Sequence, residues 1–223
     1  MEANAGTGDQ VAEQEENRSR LAALTDGVIA IAITLLVLEI AVPVVPEALV
    51  DEELGDALWD LRAQVFGFVL SFAIIGYYWL SHRLVFSHLE RADVGLTLIN
   101  LFFLLMVAFI PFVSALISDY APNTTAVVIY AGVMTLAGLS QLAMMVYPAK
   151  RGHFHASVSM ARVSVSTEKI AVAPLVFILS IPLAFASGWA AIAFWALIPI
   201  ARIAINRRNR SGSPDVRRRS SPT

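Results

Sequence analysis

Long apolar runs broken by short polar clusters dominate the chain, and they come at the spacing of membrane-spanning helices. The first runs uncharged from Gly27 to Leu38, only 12 residues, or ~18 Å of helix at ~1.5 Å per residue. A hydrocarbon core of ~30 Å needs about 20 residues. To cross, this helix must extend from about Arg20 to Pro43, which places Asp26 within or at the edge of the bilayer. The second span runs from Leu61 to Leu84, uncharged between Ala63 and Ser81, with Gly67 and Ser71 as a small-xxx-small pair for close helix approach. The third is Val94–Ser118, with Asn100 and Pro111 inside, and the fourth is Thr124–Tyr147, with Gln141. The uncharged stretch from Ile170 to Ala201 holds 32 residues, or ~48 Å as one helix. That is too long for one crossing. Ser187-Gly188 at its middle predicts a tight hairpin between two short helices. The pattern predicts an all-α membrane protein with six transmembrane helices.

Between the spans, residues 47–60 carry six acids and no base, with Leu49, Leu54, Leu58 and Leu61 spaced for a partly helical loop. Residues 1–17 are acidic and lack the basic region of a cleaved leader, so the first span is expected to be retained. They are read as a disordered segment, residues 18–206 as the transmembrane domain, and the basic, Ser/Pro-rich residues 207–223 as a disordered tail.

Charge fixes the orientation. An even number of spans puts both termini on one side, and 15 of the 16 Lys and Arg lie at the termini or in the 2–3 and 4–5 connections; Arg62 alone is opposite. By the positive-inside rule both ends are cytoplasmic in a multi-pass protein of the cell membrane. Composition agrees: 57% of residues are hydrophobic and 15% charged, against about 25% charged in soluble domains. There is no cysteine, which removes disulfides and thiolate chemistry.

Ionisable groups at membrane depth are costly and mark functional sites by default. On the first helix, Ile31, Leu35 and Leu38 share one face with Thr34 on its flank, while Asp26 points about 140° away. The polar side would lock the helix to its neighbours and leave the apolar stripe to face something else. Two plainer readings stand beside this one. Ile and Leu at helical spacing also describe core or lipid-facing surface, and Asp26 could be an N-cap. Arg20 and Asp26 are too far apart in register to pair along one face. Trp79 and His82, at the cytoplasmic end of the second span, are the candidate partners in a structural network, with His82 able to sense pH. Plainer roles for these two are a belt tryptophan and an interfacial histidine.

Arg20-x-x-x-Leu24-Thr25-Asp26 followed by an apolar run resembles the Arg-x-x-x-Phe-Ser-Asp signature of the transmembrane-protein-175 potassium channels, with Leu for Phe and Thr for Ser. The resemblance continues through Trp79-x-x-His82, Asn100 and Pro111-Phe112 and covers residues 18–205 or so. It implies a homotetramer with the first helix of each subunit lining a central pore. Ile31, Leu35 and Leu38 then occupy the hydrophobic constriction, and Thr34 a position contributing to potassium preference. A single helix cannot enclose a path, so several copies around an axis are required in any channel reading. Glu39 and the acidic 47–60 loop would stand at the outer mouth and gather cations, or form an ordinary solvated loop.

No Thr-Val-Gly-Tyr-Gly filter, nucleophile elbow, Walker loop or His-Glu-x-x-His motif occurs. The sequence therefore predicts no enzyme, no cofactor and no resident metal beyond permeant potassium. The expected partners are the bilayer, further copies of the chain and monovalent cations, without nucleic acid. The alternative is a proton-coupled secondary transporter relaying through Asp26 and His82, although no internal repeat is visible. A non-conducting membrane scaffold is the third reading.

Overall fold

The computed structural model describes residues 5–211, all of whose regular elements are helical apart from one isolated bridge, Leu89 to Phe154. The helices are α1 (Ala5–Leu35), α2 (Val50–Asp60), α3 (Arg62–His88), α4 (Val94–Tyr120), α5 (Thr124–Arg151), α6 (Met160–Ala186), α7 (Gly188–Phe194) and α8 (Leu197–Ser211). Six segments are long and apolar enough to cross a membrane, the last being α7 and α8 taken together.

The sequence fixes several boundaries through identifiable caps. Asp93 accepts the Leu96 N–H at 2.8 Å to start α4, Asn123 accepts from Thr125 and Ala126 to start α5, and Ser159 and Ser187 do the same for α6 and α7. Gly152, at φ 69°, ends α5 in the left-handed conformation that only glycine adopts without strain. The hairpin expected at Ser187-Gly188 is present, and a Cβ on Gly188 would lie 2.0 Å from the Pro122 carbonyl oxygen. This glycine therefore lets the α6–α7 corner sit directly on the α4–α5 turn.

α4 and α5 form the centre of the bundle. Gly67 and Ser71 allow α3 close to α4, as the spacing predicted. A side chain at Gly67 would collide with Ser118, and the Ser71 hydroxyl donates to Ser114 Oγ at 2.9 Å with Tyr130 Oη 3.1 Å away. Gly138 does the same for α5 against Pro174 of α6. Gln141 of α5 donates to the Tyr78 carbonyl of α3 at 2.5 Å.

The ends of the first span differ from expectation. The segment read as disordered up to residue 17 is helical from Ala5, because Gln, Glu, Ala, Leu and Arg favour helix and no proline intervenes before Pro43. Residues 1–4 and 212–223, the extremes of the two segments expected to be disordered, lie outside the described residues; Arg207 to Ser211 belong to α8. At its other end α1 stops at Leu35 rather than near Pro43. A 3-10 turn, Leu36–Glu39, follows, and the chain is irregular up to the 3-10 turn Glu47–Leu49. The acidic loop is helical in part, as α2.

Candidate site on the first helix

α1 and the 3-10 turn that continues it present two unlike sides. Leu21, Thr25, Ile29, Ala32 and Leu36 recur at three- and four-residue intervals and are buried against the rest of the subunit. On the opposite side Leu24, Ile31, Leu35 and Leu38 are exposed, Ile31 at 61% and Leu38 at 74%. Thr34 lies beside them, also exposed, and its hydroxyl donates to the Ile31 carbonyl at 2.8 Å. With its proton directed into its own helix, that oxygen keeps its lone pairs for whatever lies opposite. The stripe is thus neither subunit core nor covered by any described part of the same chain.

Asp26 is in the middle of a continuous helix, so it caps nothing. Its carboxylate accepts the Trp79 indole N–H at 2.8 Å, joining α1 to α3. The Arg83 guanidinium lies over the same indole, 5.0 Å from the ring centroid. His82 belongs to a separate buried group. Its Nε2 lies 3.0 Å from Asn100 Oδ1, and Asn100 Nδ2 donates to Thr25 Oγ1 at 2.9 Å. Thr25 in turn donates to the Leu21 carbonyl at 3.0 Å, and the His82 ring is stacked on Phe86 at 4.1 Å. This triad ties α1, α3 and α4 together.

The four residues expected in one network are therefore divided. Asp26 meets Trp79, and His82 meets Asn100, because adjacent residues on α1 point about 100° apart; Thr25 turns to α4 and Asp26 to α3. Arg20 joins neither pair. It is on the exposed side of α1, 4.0 Å from Glu16 one turn back, with its side chain 76% accessible. The arginine that does reach across is Arg18, which donates to the Leu89 carbonyl at 2.8 Å just past the end of α3. Thr25 is the member that sequence reasoning left unassigned, its signal being its place in the Leu21, Ile29, Leu36 register; Asn100, an amide inside an apolar span, is expected to hydrogen-bond between helices and does so, to His82 and Thr25. Glu39 is half-buried at the last position of the 3-10 turn, on the side of the molecule that holds α2 with Asp51, Glu52, Glu53 and Asp56.

A family model described as endosomal/lysosomal potassium channel TMEM175 matches residues 20–111, the stretch that contains Arg20, Asp26, Trp79, His82 and Asn100. A potassium channel of Streptomyces collinus is 33% identical over 174 residues, covering 76% of this chain and 83% of that protein. The chain belongs to the TMEM175 family. A second relative, a potassium channel of Chamaesiphon minutus, is 38% identical over 127 residues, 55% of this chain and 61% of its own. In three dimensions the chain superimposes on the crystal structure of a lysosomal potassium-selective channel TMEM175 homolog from Chamaesiphon minutus. The TM-score is 0.71 and the identity 29%, over 86% of this chain and 98% of that one. Both the Asp26–Trp79 pair and the Thr25–Asn100–His82 triad fall inside the stretch matched by the TMEM175 model.

Proposed function

We propose that this TMEM175 chain is the subunit of a potassium-conducting channel of the cell membrane, with both termini cytoplasmic and four copies placing α1 around a common axis. One observation carries the reading: the helix whose polar side is fastened inside the subunit by Asp26 and Thr25 leaves Ile31, Leu35 and Leu38 uncovered on its other side. The potassium channels among its relatives support the choice of ion.

In such an assembly the three residues form stacked apolar rings. Narrow apolar rings empty of water and block ions; widened by a small outward movement of α1, they fill and conduct. The four Thr34 oxygens replace part of the hydration lost in the constriction, which favours potassium because it holds its water less tightly than sodium. Without a carbonyl-lined filter, selectivity is modest. Glu39 and the acids of α2 raise the cation concentration at the outer mouth. The chain acts without covalent chemistry and needs no cofactor.

Reconstitution of the purified chain in liposomes tests this. Potassium flux down its own gradient, without a proton gradient and altered by Leu35→Ala, supports the channel. Flux that saturates and requires a proton gradient replaces it with the proton-coupled carrier.

A further inference from the structure

A second feature is an apolar groove apart from the exposed stripe of α1. Between α3 and the last span, α7 with α8, lies a cavity of about 1010 Å³, open along one side. Phe66, Leu70 and Leu80 form one wall, Ile192, Pro199 and Ile203 the other, and several are half exposed: Phe66 at 52%, Leu80 at 50%, Ile203 at 53%. Among the described lining residues, Arg202 is the one charged side chain. Its guanidinium lies over the Tyr77 ring at 4.7 Å, and the Tyr77 hydroxyl is itself fixed by donating to the Lys169 carbonyl at 2.5 Å.

Dimensions and charge identify the occupant. From Phe66 to Tyr77, the residue over which Arg202 lies, the apolar wall is ~17 Å long at ~1.5 Å per residue, with Leu80 about one turn beyond. One leaflet of a ~30 Å hydrocarbon core is about 15 Å deep. Arg202 lies toward the end of the groove that carries Lys169, Arg207 and Arg208, the side the charge pattern makes cytoplasmic. The neighbouring Glu168 is already paired with Arg208 and does not cancel this charge. A guanidinium held over an aromatic ring keeps edge N–H groups for bidentate contact with a phosphate.

We propose that this groove binds an anionic phospholipid of the cytoplasmic leaflet, acyl chain between α3 and α8, phosphate on Arg202. The seat adjoins the pore helix, since Ile33 of α1 and Trp79, the partner of Asp26, also line it. Binding is independent of the channel reading; only an effect of the lipid on conduction rests on it.

The test is native mass spectrometry of the full chain released from nanodiscs containing equal phosphatidylglycerol and phosphatidylcholine. Phosphatidylglycerol should be retained preferentially. Arg202→Gln should lower that retention about fivefold, the worth of one arginine at an anionic surface, while Arg202→Lys, which keeps the charge and loses the bidentate fork, should fall between wild type and Arg202→Gln. Ala196→Phe, which fills the groove from an exposed lining position, should reduce retention of both lipids; if that variant fails to fold, the two Arg202 variants decide. Equal retention of the two lipids, or no change in Arg202→Gln, overturns the proposal. So does finding a helix of a neighbouring copy in the groove of the assembled protein. Potassium flux measured on the same variants is read separately, so loss of lipid with normal flux, or the reverse, keeps the two readings distinct.

Discussion

Asn100→Leu removes the middle of the buried triad and keeps the branching at Cγ, with methyl groups in place of the amide oxygen and nitrogen. In the native chain Asn100 is 0% exposed and His82 1%. After substitution the Thr25 hydroxyl keeps its bond to the Leu21 carbonyl, so the cost falls on His82, whose Nε2 is left without the partner it has at 3.0 Å. A buried polar group stranded in this way costs about 1–3 kcal/mol in soluble proteins. In membranes the measured interhelical average is nearer 0.6 kcal/mol, with a maximum of about 1.7. The near-complete burial places this site at the upper end, at about 1–1.7 kcal/mol by the same scale. Adding His82→Phe should return most of the loss. A phenyl ring fits the stack that His82 makes with Phe86 at 4.1 Å and Phe103 at 5.9 Å, and replacing both polar partners by apolar groups is close to neutral. Reversible unfolding in mixed micelles of wild type, both single variants and the double variant gives the cycle. A stability of Asn100→Leu equal to wild type, or strictly additive losses in the double variant, would refute the assignment of the triad as the tie between α1, α3 and α4.

Trp79→Phe keeps the ring and removes the donor to Asp26; it should lower stability by up to about 1.5 kcal/mol, and combined with Asp26→Asn the losses should be less than additive in the same assay. Gly188→Ala should cost about 1–3 kcal/mol as an overpacked contact, because its Cβ meets the Pro122 carbonyl; a thermal midpoint equal to wild type would contradict this packing. At Asp93, burial pushes the carboxyl up, but bonds from the Leu96 N–H and the Tyr147 hydroxyl, with His153 and Arg151 nearby, outweigh it and hold the group below its ordinary 3.8. Its contribution to stability is therefore complete above that value and is lost as the pH falls through the lower folded value. Unfolding measured down this range should show a fall in wild type that is smaller in Asp93→Asn.

What the sequence revealed depended on whether a feature was local. The hairpin at Ser187-Gly188 was readable because no single helix of that length fits a bilayer, and the stripe of Ile31, Leu35 and Leu38 because helical periodicity is local. Trp79 could be named as a partner of Asp26 because an indole donor at the end of the adjacent span is one of few groups able to meet a carboxylate there. That Asn100 bonds between helices was readable from an amide inside an apolar span, but that its partners are Thr25 and His82 was not. The pairing depends on the rotation of α4 relative to α1, which side-chain packing sets and no spacing encodes. Arg20 was assigned across the bundle on its place in a motif, whereas the register of α1 turns it outward and leaves the reach to Arg18. The early end of α1 was equally hidden, since Pro43 is the first residue whose chemistry forbids helix and the structure yields seven residues before it, after Leu36 begins the tighter turn.

The central claim is that the uncovered stripe of α1 borders water shared between copies. Because the chain contains no cysteine, single cysteines can be placed along α1 without further change and tested with a charged, membrane-impermeant thiol reagent during potassium flux in liposomes. Modification at positions 31, 35 and 38 that alters flux, with no effect at the buried positions 29 and 36, is the result this account predicts. Stripe cysteines that react with lipid-soluble reagents but never with the charged one would contradict it.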